Sequence, residues 1–440
     1  MKTIVNAVLI SMFVLCSGGT DAFARVITLD QAFDIGLKNN PSIEAAKIRI
    51  KQAEESIKEV KASWFPSMEA VSSVTRKEIS DNSLAAAPAG TDKSEELYST
   101  GLSASWIVFA GFERKYQCMA AELTRRQSTA SLADAQRILV AAIADTYFSA
   151  QLALKNRAIA KADKEFNLEQ LKEAEIKKEV GTGSLSDLYN FQIKVNTADA
   201  QIEEAACQYD IARAALAALL GIADPLKNLP KPAFLAPENS KEMVMPDIQK
   251  FTKTALNKRP DIKSQVFGIK KADAEIGAAK AKYWPTISLN GNLNADRTSS
   301  SRFENSDIAS TVSLGFSYPI FQGGKNQAAL YKAMAVKTET EKNFETLKTE
   351  ITSKVMQAGC KVISSQKQLK IQRKNTLLVE KTRNLVEFEY KAGQTSLVRL
   401  NEAQKELTTA RGRLALALVN LRQAWYQLKS AAGIMHISAF

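Results

Sequence analysis

The sequence predicts an α+β membrane protein in which long coiled-coil helical hairpins are joined to amphipathic β-hairpins, the whole pattern being written twice along the chain. Three observations carry this expectation. First, one junction occurs twice, as Lys61-Ala62-Ser63-Trp64-Phe65-Pro66 and Lys280-Ala281-Lys282-Tyr283-Trp284-Pro285, each ending a charged helical pattern with two aromatics and a proline. Second, both junctions lead into stretches that alternate apolar and polar residues with a period of two, the mark of strands with one apolar and one wet face. Third, Phe112 to Val180 contains neither Gly nor Pro, and one unbroken helix of that length would reach about 100 Å at 1.5 Å per residue.

The chain opens with a segment that reads as a cleaved secretory signal over 1–24: Lys2, an apolar run from Ile4 to Leu15, and a small-residue exit at Ala22-Phe23-Ala24. Cys16 follows Leu15, where an acylation signal needs a small residue, so a mature chain starting near Arg25 is expected instead of a lipid anchor. The leader's apolar run is too short to span a bilayer as a helix, and no later segment holds eighteen uncharged apolar residues, so no transmembrane helix is expected.

The mature chain divides into repeat 1 over 25–222, a Pro-rich connector over 223–246, repeat 2 over 247–434, and a short tail over 435–440. An offset of 219 pairs Leu37, Pro41, Ile43, Ile50, Lys51, Ala53, Ile57, Lys61, Ala62 and Pro66 with Leu256, Pro260, Ile262, Ile269, Lys270, Ala272, Ile276, Lys280, Ala281 and Pro285. These are ten identities in thirty positions, where ordinary usage gives about two. Past the first hairpin the offset becomes 212, as Phe109 with Phe321 and Gly181 with Gly393. The difference of seven is assigned to an insertion at the hairpin tip, 83–90, where a surface loop tolerates growth.

Within each repeat the order is helix, β-hairpin, long helix, short break, helix. The hairpins fall at about 66–109 and 285–321, the long helices at about 112–180 and 325–392, and the returning helices at about 184–220 and 396–432. In the second hairpin Ile287, Leu289, Gly291, Leu293 and Ala295 share one face and Thr286, Ser288, Asn290, Asn292 and Asn294 the other. The return strand repeats this with Val312, Leu314, Phe316, Tyr318 and Ile320, and the first hairpin with Tyr98, Thr100, Leu102, Ala104, Trp106 and Val108. Strands of about ten to twelve residues cross a bilayer when tilted. The aromatics Trp64, Phe65, Trp106, Phe109, Tyr283, Trp284, Tyr318 and Phe321 lie at the helix-side ends, where an interfacial girdle sits. Four strands cannot close a barrel, and an open edge in lipid leaves backbone groups unpaired, so membrane insertion demands oligomerisation around a polar lumen.

The break at Gly181-Thr182-Gly183-Ser184 supplies a glycine to end one helix and a serine to cap the next, and Gly393-Gln394-Thr395-Ser396 repeats the device. Leu168, Leu171 and Ala174, with Glu173 four residues before Lys177, suit a coiled-coil hairpin.

Composition removes several function classes. The chain holds 59 Lys and Arg against 47 Asp and Glu, a surplus of +12, and these charges are interspersed on helical faces, not gathered into the patch that nucleic acid needs. Beyond Cys16 in the expected signal, Cys118, Cys207 and Cys360 are odd in number and widely spaced, and His436 is the single histidine. No disulfide framework, metal site, cofactor or catalytic constellation is expected. A half-buried soluble sandwich would also alternate, and a periplasmic coiled-coil adaptor or scaffold would also carry a signal and a helical hairpin. Neither accounts for two hairpins, four alternating strands and an aromatic girdle together.

The signal, the Leu29-Asp30-Gln31-Ala32 opening with Asn39-Asn40-Pro41, the duplicated aromatic-Pro junctions, the Phe321-Gln322-Gly323-Gly324 turn and the paired Gly-x-x-Ser-Leu tips together resemble TolC-type outer membrane efflux proteins, over essentially the whole mature chain. No single motif is specific; their order and duplication are. The resemblance implies a homotrimer in the outer membrane of a Gram-negative bacterium. Its twelve strands would form one β-barrel in outer-membrane lipid, and its helices a periplasmic α-barrel. It implies a non-enzymatic exit duct of a tripartite efflux or type I secretion system, fed by an inner-membrane pump of RND, ABC or MFS type through a periplasmic adaptor. Carried over by position, it puts adaptor-docking tips at Gly181, Ser184, Leu185, Gly393, Ser396 and Leu397. It puts the periplasmic entrance at Asp187, Tyr390, Thr395, Arg399 and Glu402. Tyr390 and Asp187 match the closing network, Thr395 stands where relatives carry an arginine, and of two acidic ring positions, now Arg399 and Glu402, only the second stays acidic.

Overall fold

The structure is a computed structural model that describes residues 26–86, 88, 92–222, 230–237, 239–298 and 300–434. The expected signal, Cys16, Arg25, the tail from 435 with His436, and parts of the tip insertion and connector lie outside the described residues. In chain order the elements are β1 (Val26–Ile27), α1 (Leu29–Asn39), α2 (Pro41–Ala62), β2 (Ser67–Glu78), α3 (Asp81–Ala85), β3 (Ser94–Ala110), α4 (Glu113–Glu179), α5 (Leu185–Leu220) and β4 (Lys231–Pro232). There follow α6 (Ile248–Lys258), α7 (Pro260–Ala281), β5 (Thr286–Thr298), β6 (Ile308–Ser317), α8 (Lys325–Lys391) and α9 (Leu397–Ala431), with 3-10 turns at Ser240–Met243 and Asn305–Asp307.

Where one helix is expected ahead of each pair of strands, the structure has two. Asn40 and Arg259 are extended (ψ 123° and 133°) because each precedes a proline, whose ring disfavours helical backbone in the residue before it. Thr28 opens α1 with a capping box, accepting from the Gln31 N–H while the Gln31 side chain accepts from the Thr28 N–H.

The chain forms two compact units. One, drawn from Lys47–Ser131 and Lys263–Thr346, contains the antiparallel sheet in the order β2-β3-β5-β6. Its register aligns Ala70 with Leu102, Leu102 with Leu293, and Leu289 with both Trp106 and Leu314, so one face is an apolar ladder. The other face carries Ser103, Asn292 and Thr311 in a row, and Ser105, Asn290 and Ser313 in the next. Two details differ from the alternation. A bulge between Ile107 and Phe109 takes Val108 out of the ladder and pairs Phe109 with Ile287, so Phe109 continues the apolar face. The last strand ends at Ser317, leaving Tyr318 and Ile320 beyond it, because Pro319 has no N–H for the ladder. The outer edges of β2 and β6 have no strand partner among the described residues.

The other unit, drawn from the described residues of Met1–Ala46, Leu132–Ile262 and Leu347–Phe440, is helical around a core of Ala32, Leu37, Ile43, Leu139, Val140, Ile143, Tyr147, Leu216, Leu220 and Val419. Each fully buried aliphatic side chain here contributes about 1.5–3 kcal/mol. A stretch of α4 is apolar enough by length and composition to cross a membrane, but half of it is buried in the protein. Helix-on-helix packing accounts for that composition. The described part of the connector is strapped to the helices. Arg422 Nη2 donates to the carbonyls of Ala236 and Pro237 (2.9 Å each), Trp425 Nε1 to Glu242 O (2.8 Å), and Gln366 Nε2 to Val244 O (2.8 Å).

Candidate functional site

Two regions concentrate the residues singled out in the sequence. In the sheet-bearing unit, the junction aromatics meet a residue that sequence reasoning missed. Arg114, in the first turn of α4, is buried. Its guanidinium lies 4.6 Å from the Trp64 ring centroid, and it donates to Ser63 O (3.0 Å) and to the bulged Val108 O (2.8 Å). Trp106 Nε1 donates to Trp64 O (2.9 Å). Phe109 packs edge-on against Phe112, and Phe112 against Trp284. Phe112 has a positive φ of 69°, a conformation an L side chain adopts only when its surroundings hold it there. Trp64, Phe65, Tyr283, Trp284, Tyr318 and Phe321 are exposed at the helix-side ends of the strands. On the polar face Ser105 Oγ donates to Asn290 Oδ1 (2.9 Å) and Ser99 Oγ to Asp296 Oδ1 (2.5 Å), so the wet side is a hydrogen-bonded lining.

In the helical unit, α4 turns into α5 and α8 into α9 through tips built alike. Gly181 (φ 80°) and Gly393 (φ 74°) end the long helices in the left-handed conformation, which a β-carbon makes costly. Thr182 N donates to Lys177 O (2.9 Å) and Gln394 N to Glu389 O (2.8 Å), closing the helix ends. Ser184 and Ser396 then cap α5 and α9, accepting from the N–H groups of Ser186 (3.1 Å) and Arg399 (3.4 Å). Leu185 and Leu397 are the first residues of those helices.

Ser184, Asp187 and Tyr390 line one small cavity of about 10 Å³, together with Gln170, Glu173, Ala174, Lys177 and Gly183. Burial raises the Tyr390 phenol above its ordinary value, and the charges of Asp187 and Glu173 push it further. Lys177 Nζ sits 5.3 Å from the Tyr390 ring centroid. Lys391 Nζ reaches Glu173 (3.4 Å) and Glu387 (3.2 Å), and Arg383 lies 4.9 Å from the Phe166 centroid. Further along, Gln404 Nε2 and Thr408 Oγ1 donate to Asp163 Oδ1 (2.6 and 2.9 Å), and Asn401 to Asn190 (2.9 Å). Thr395, Arg399 and Glu402 are not in the cavity. Arg399 and Glu402 are exposed on α9, form no ion pair with each other among the described residues, and Glu402 faces a shallow groove with Lys405, Glu406 and Arg413. Glu173 and Lys177 went unassigned as site residues because they read as one more exposed helical ion pair. Their signal lay in the spacing of Phe166, Gln170, Glu173 and Lys177, which places all four on one face of α4.

An antiparallel sheet with one apolar and one hydrogen-bonded polar face and two edges that have no strand partner among the described residues, carried by a chain with helices of 67 residues and capped tips, defines a class: a channel subunit of the cell envelope. The comparisons with known proteins give the family. The profile described as "Outer membrane efflux protein" matches residues 34–222 and 252–434, so the chain belongs to the outer membrane efflux protein family. It is 27% identical over 380 residues to "Probable outer membrane lipoprotein SilC" of Salmonella typhimurium, covering 84% of this chain and 78% of that protein. It is 26% identical over 424 residues to "Toluene efflux pump outer membrane protein TtgI" of Pseudomonas putida, covering 93% and 86%. Among solved structures, the Campylobacter jejuni CmeC outer membrane channel superposes with a TM-score of 0.78 at 20% identity, over 94% of this chain and 87% of that one. A CusC structure superposes with a TM-score of 0.78 at 21% identity, over 96% and 95%. The protein is an outer-membrane efflux duct with a large periplasmic helical part, and not an enzyme.

Proposed function

We propose that three copies of this chain close a twelve-stranded barrel in the outer membrane. The barrel would open into a periplasmic helical tunnel whose tips receive cargo from an inner-membrane pump through an adaptor protein. The observation that carries this reading is the β3–β5 pairing, set against the free edges of β2 and β6. Applying the two sequence offsets, +212 to β3 and −219 to β5, turns Leu102 opposite Leu293 into Leu314 opposite Val74 of a second copy. Likewise Gly101 opposite Asn294 becomes Ser313 opposite Thr75. Both new pairs keep apolar with apolar and polar with polar faces, which a one-residue slip would reverse.

Duplicated tie points support the two-repeat organisation. Asn40 Nδ2 donates to Leu219 O and Arg259 Nη1 to Ala431 O (2.8 Å each). Arg114 Nη1 donates to Ser63 O (3.0 Å) and Asn326 Nδ2 to Lys282 O (3.1 Å). Each pair is related by the same offsets. A β-carbon on Gly111 would meet Ala281 O at 2.3 Å and Trp284 Cβ at 2.5 Å, while Gly323, its counterpart, faces open space. In a trimer that space is filled by Ala62 and Phe65 of the next copy.

The tips at Gly181, Ser184, Leu185, Gly393, Ser396 and Leu397 are the adaptor's docking points, and Asp187, Tyr390, Thr395, Arg399 and Glu402 surround the entrance. The Ser and Asn lining of the sheet's polar face favours no one cargo. The test uses a background with the native cysteines changed to Ser. Oxidation of Thr75→Cys/Ser313→Cys gives a covalent trimer, and Thr75→Cys/Leu314→Cys, one residue out of register, gives none. Failure of the first pair to cross-link in isolated outer membranes would reject the barrel.

A further inference from the structure

We propose that the groove between α4, α5 and α9 is a binding site for one amphipathic organic cation. The proposal goes beyond the duct reading and depends on neither the barrel nor the entrance. The groove holds about 760 Å³, a volume that takes a drug-sized molecule. It is deep because all three helices present small residues there, Ala153 from α4, Ala212 from α5 and Gly412 from α9. A β-carbon on Gly412 would meet nothing within 4 Å, so the α9 wall stands back from the other two. Leu152, Ile159 and Ile211 give the groove an aliphatic lining, and Ile211 is left 56% exposed. Covering that lining with an apolar group removes it from water.

The charge in the groove has one sign. Asp145 and Glu204 line it, and no Lys, Arg or His does among the described residues, in a chain whose net charge is +12. Asp145 is half-buried. It accepts from Gln427 Nε2 at 3.4 Å, and Gln427 Oε1 accepts in turn from Lys361 Nζ at 3.0 Å. An amide therefore stands between this carboxylate and Lys361. Burial raises the Asp145 carboxyl above its ordinary value in spite of the Gln427 hydrogen bond and the Lys361 charge, the mark of a carboxylate short of counter-charge. A cation with its own apolar skirt covers the aliphatic lining and supplies that charge together. An anion of the same shape meets two carboxylates instead.

The experiment is equilibrium dialysis of tetraphenylphosphonium against the full-length protein in an uncharged detergent, with equal detergent on both sides and oligomer yield measured in parallel. Saturable retention of one cation per chain is expected. Tetraphenylborate, the same shape with the opposite charge, is expected to show none. Asp145→Asn and Glu204→Gln should each weaken retention about fivefold, the upper scale of one solvent-accessible ion pair. Gly412→Leu, which grows into open space, should abolish retention with the oligomer intact. Glu203→Gln, which removes an exposed carboxylate outside the lining, should leave it unchanged. Absence of saturable retention by the wild-type oligomer would overturn the proposal, and dissociation of the oligomer by Gly412→Leu in that case would give the groove to a helix of a second copy. Retention that survives Asp145→Asn, Glu204→Gln and Gly412→Leu alike, or that tetraphenylborate shares, would overturn it as well.

Discussion

Arg259 ties the start of α7 to the end of α9 in the helical unit. It is 4% exposed and stands between α6 and α7. Its guanidinium meets Asp261 in a two-point pair, Nε to Oδ1 at 3.0 Å and Nη2 to Oδ2 at 2.6 Å, and Nη1 donates to Ala431 O at 2.8 Å. Arg259→Met keeps most of the stem but leaves Asp261 without its counter-charge and the Ala431 carbonyl without its donor. Removing one partner of a buried pair costs about 3–5 kcal/mol, and because the Asp261 side chain retains 19% exposure the lower end, about 3 kcal/mol, is expected. Adding Asp261→Asn should recover more than half of the loss, since it removes the uncompensated charge.

The pH dependence has a defined sign. Burial pushes the Asp261 carboxyl up, but hydrogen bonding and charge from Arg259, with the charge of Arg137, hold it below its ordinary value of 3.8. A depressed carboxyl contributes stability above its unfolded value and loses it as pH falls through the folded one. The wild type therefore loses this contribution below about pH 4, and the deficit of Arg259→Met begins to shrink at a higher pH, because burial without Arg259 raises the Asp261 carboxyl. Urea unfolding of detergent-solubilised protein, followed by helical ellipticity at neutral and acid pH, measures both effects. A loss below about 1 kcal/mol, or a deficit independent of pH, would refute the reasoning.

Three other outcomes are expected. Leu314→Arg should sharply reduce assembled oligomer in outer membranes, because a charge on the lipid face near mid-bilayer costs about 2–4 kcal/mol, whereas Ser313→Arg on the polar face should be mild; equal assembly of both would contradict the face assignment. Gly181→Val with Gly393→Val should weaken export and adaptor cross-linking while leaving the oligomer intact, since both positions have positive φ and open surroundings; normal cross-linking would exclude the tips as docking points. If the proposed entrance holds, Arg399→Asp should strengthen block by trivalent cations in planar bilayers, because it would turn a nearly neutral ring of Arg399 and Glu402 into two acidic ones; tight block of the wild type, unchanged by the substitution, would remove these residues from the entrance.

Much of the architecture was legible because its determinants are local. Period-two alternation marks each strand and its wet face, since successive side chains of a strand point to opposite sides. Gly181 and Ser184, with Gly393 and Ser396, mark where long helices stop and the next begin, because a left-handed cap and an N-cap oxygen are properties of single residues. The order and duplication of these signals carried the family, the outer-membrane location and the absence of catalysis.

What the tertiary structure decided depends on residues far apart in the chain. That β3 lies beside β5, and that β2 and β6 are left as edges, follows from how the two hairpins dock. At the bulge the Val108 carbonyl accepts from the buried Arg114, a contact that alternation does not encode. Arg259 and Ala431 are 172 residues apart, and Glu173 meets Lys391 across two helices. A lysine that spans hairpins and one that only dresses a helix surface look the same in sequence, since long flexible side chains acquire partners only when packing brings another element within reach. The chain by itself determined what each segment is; packing decided which charges face one another.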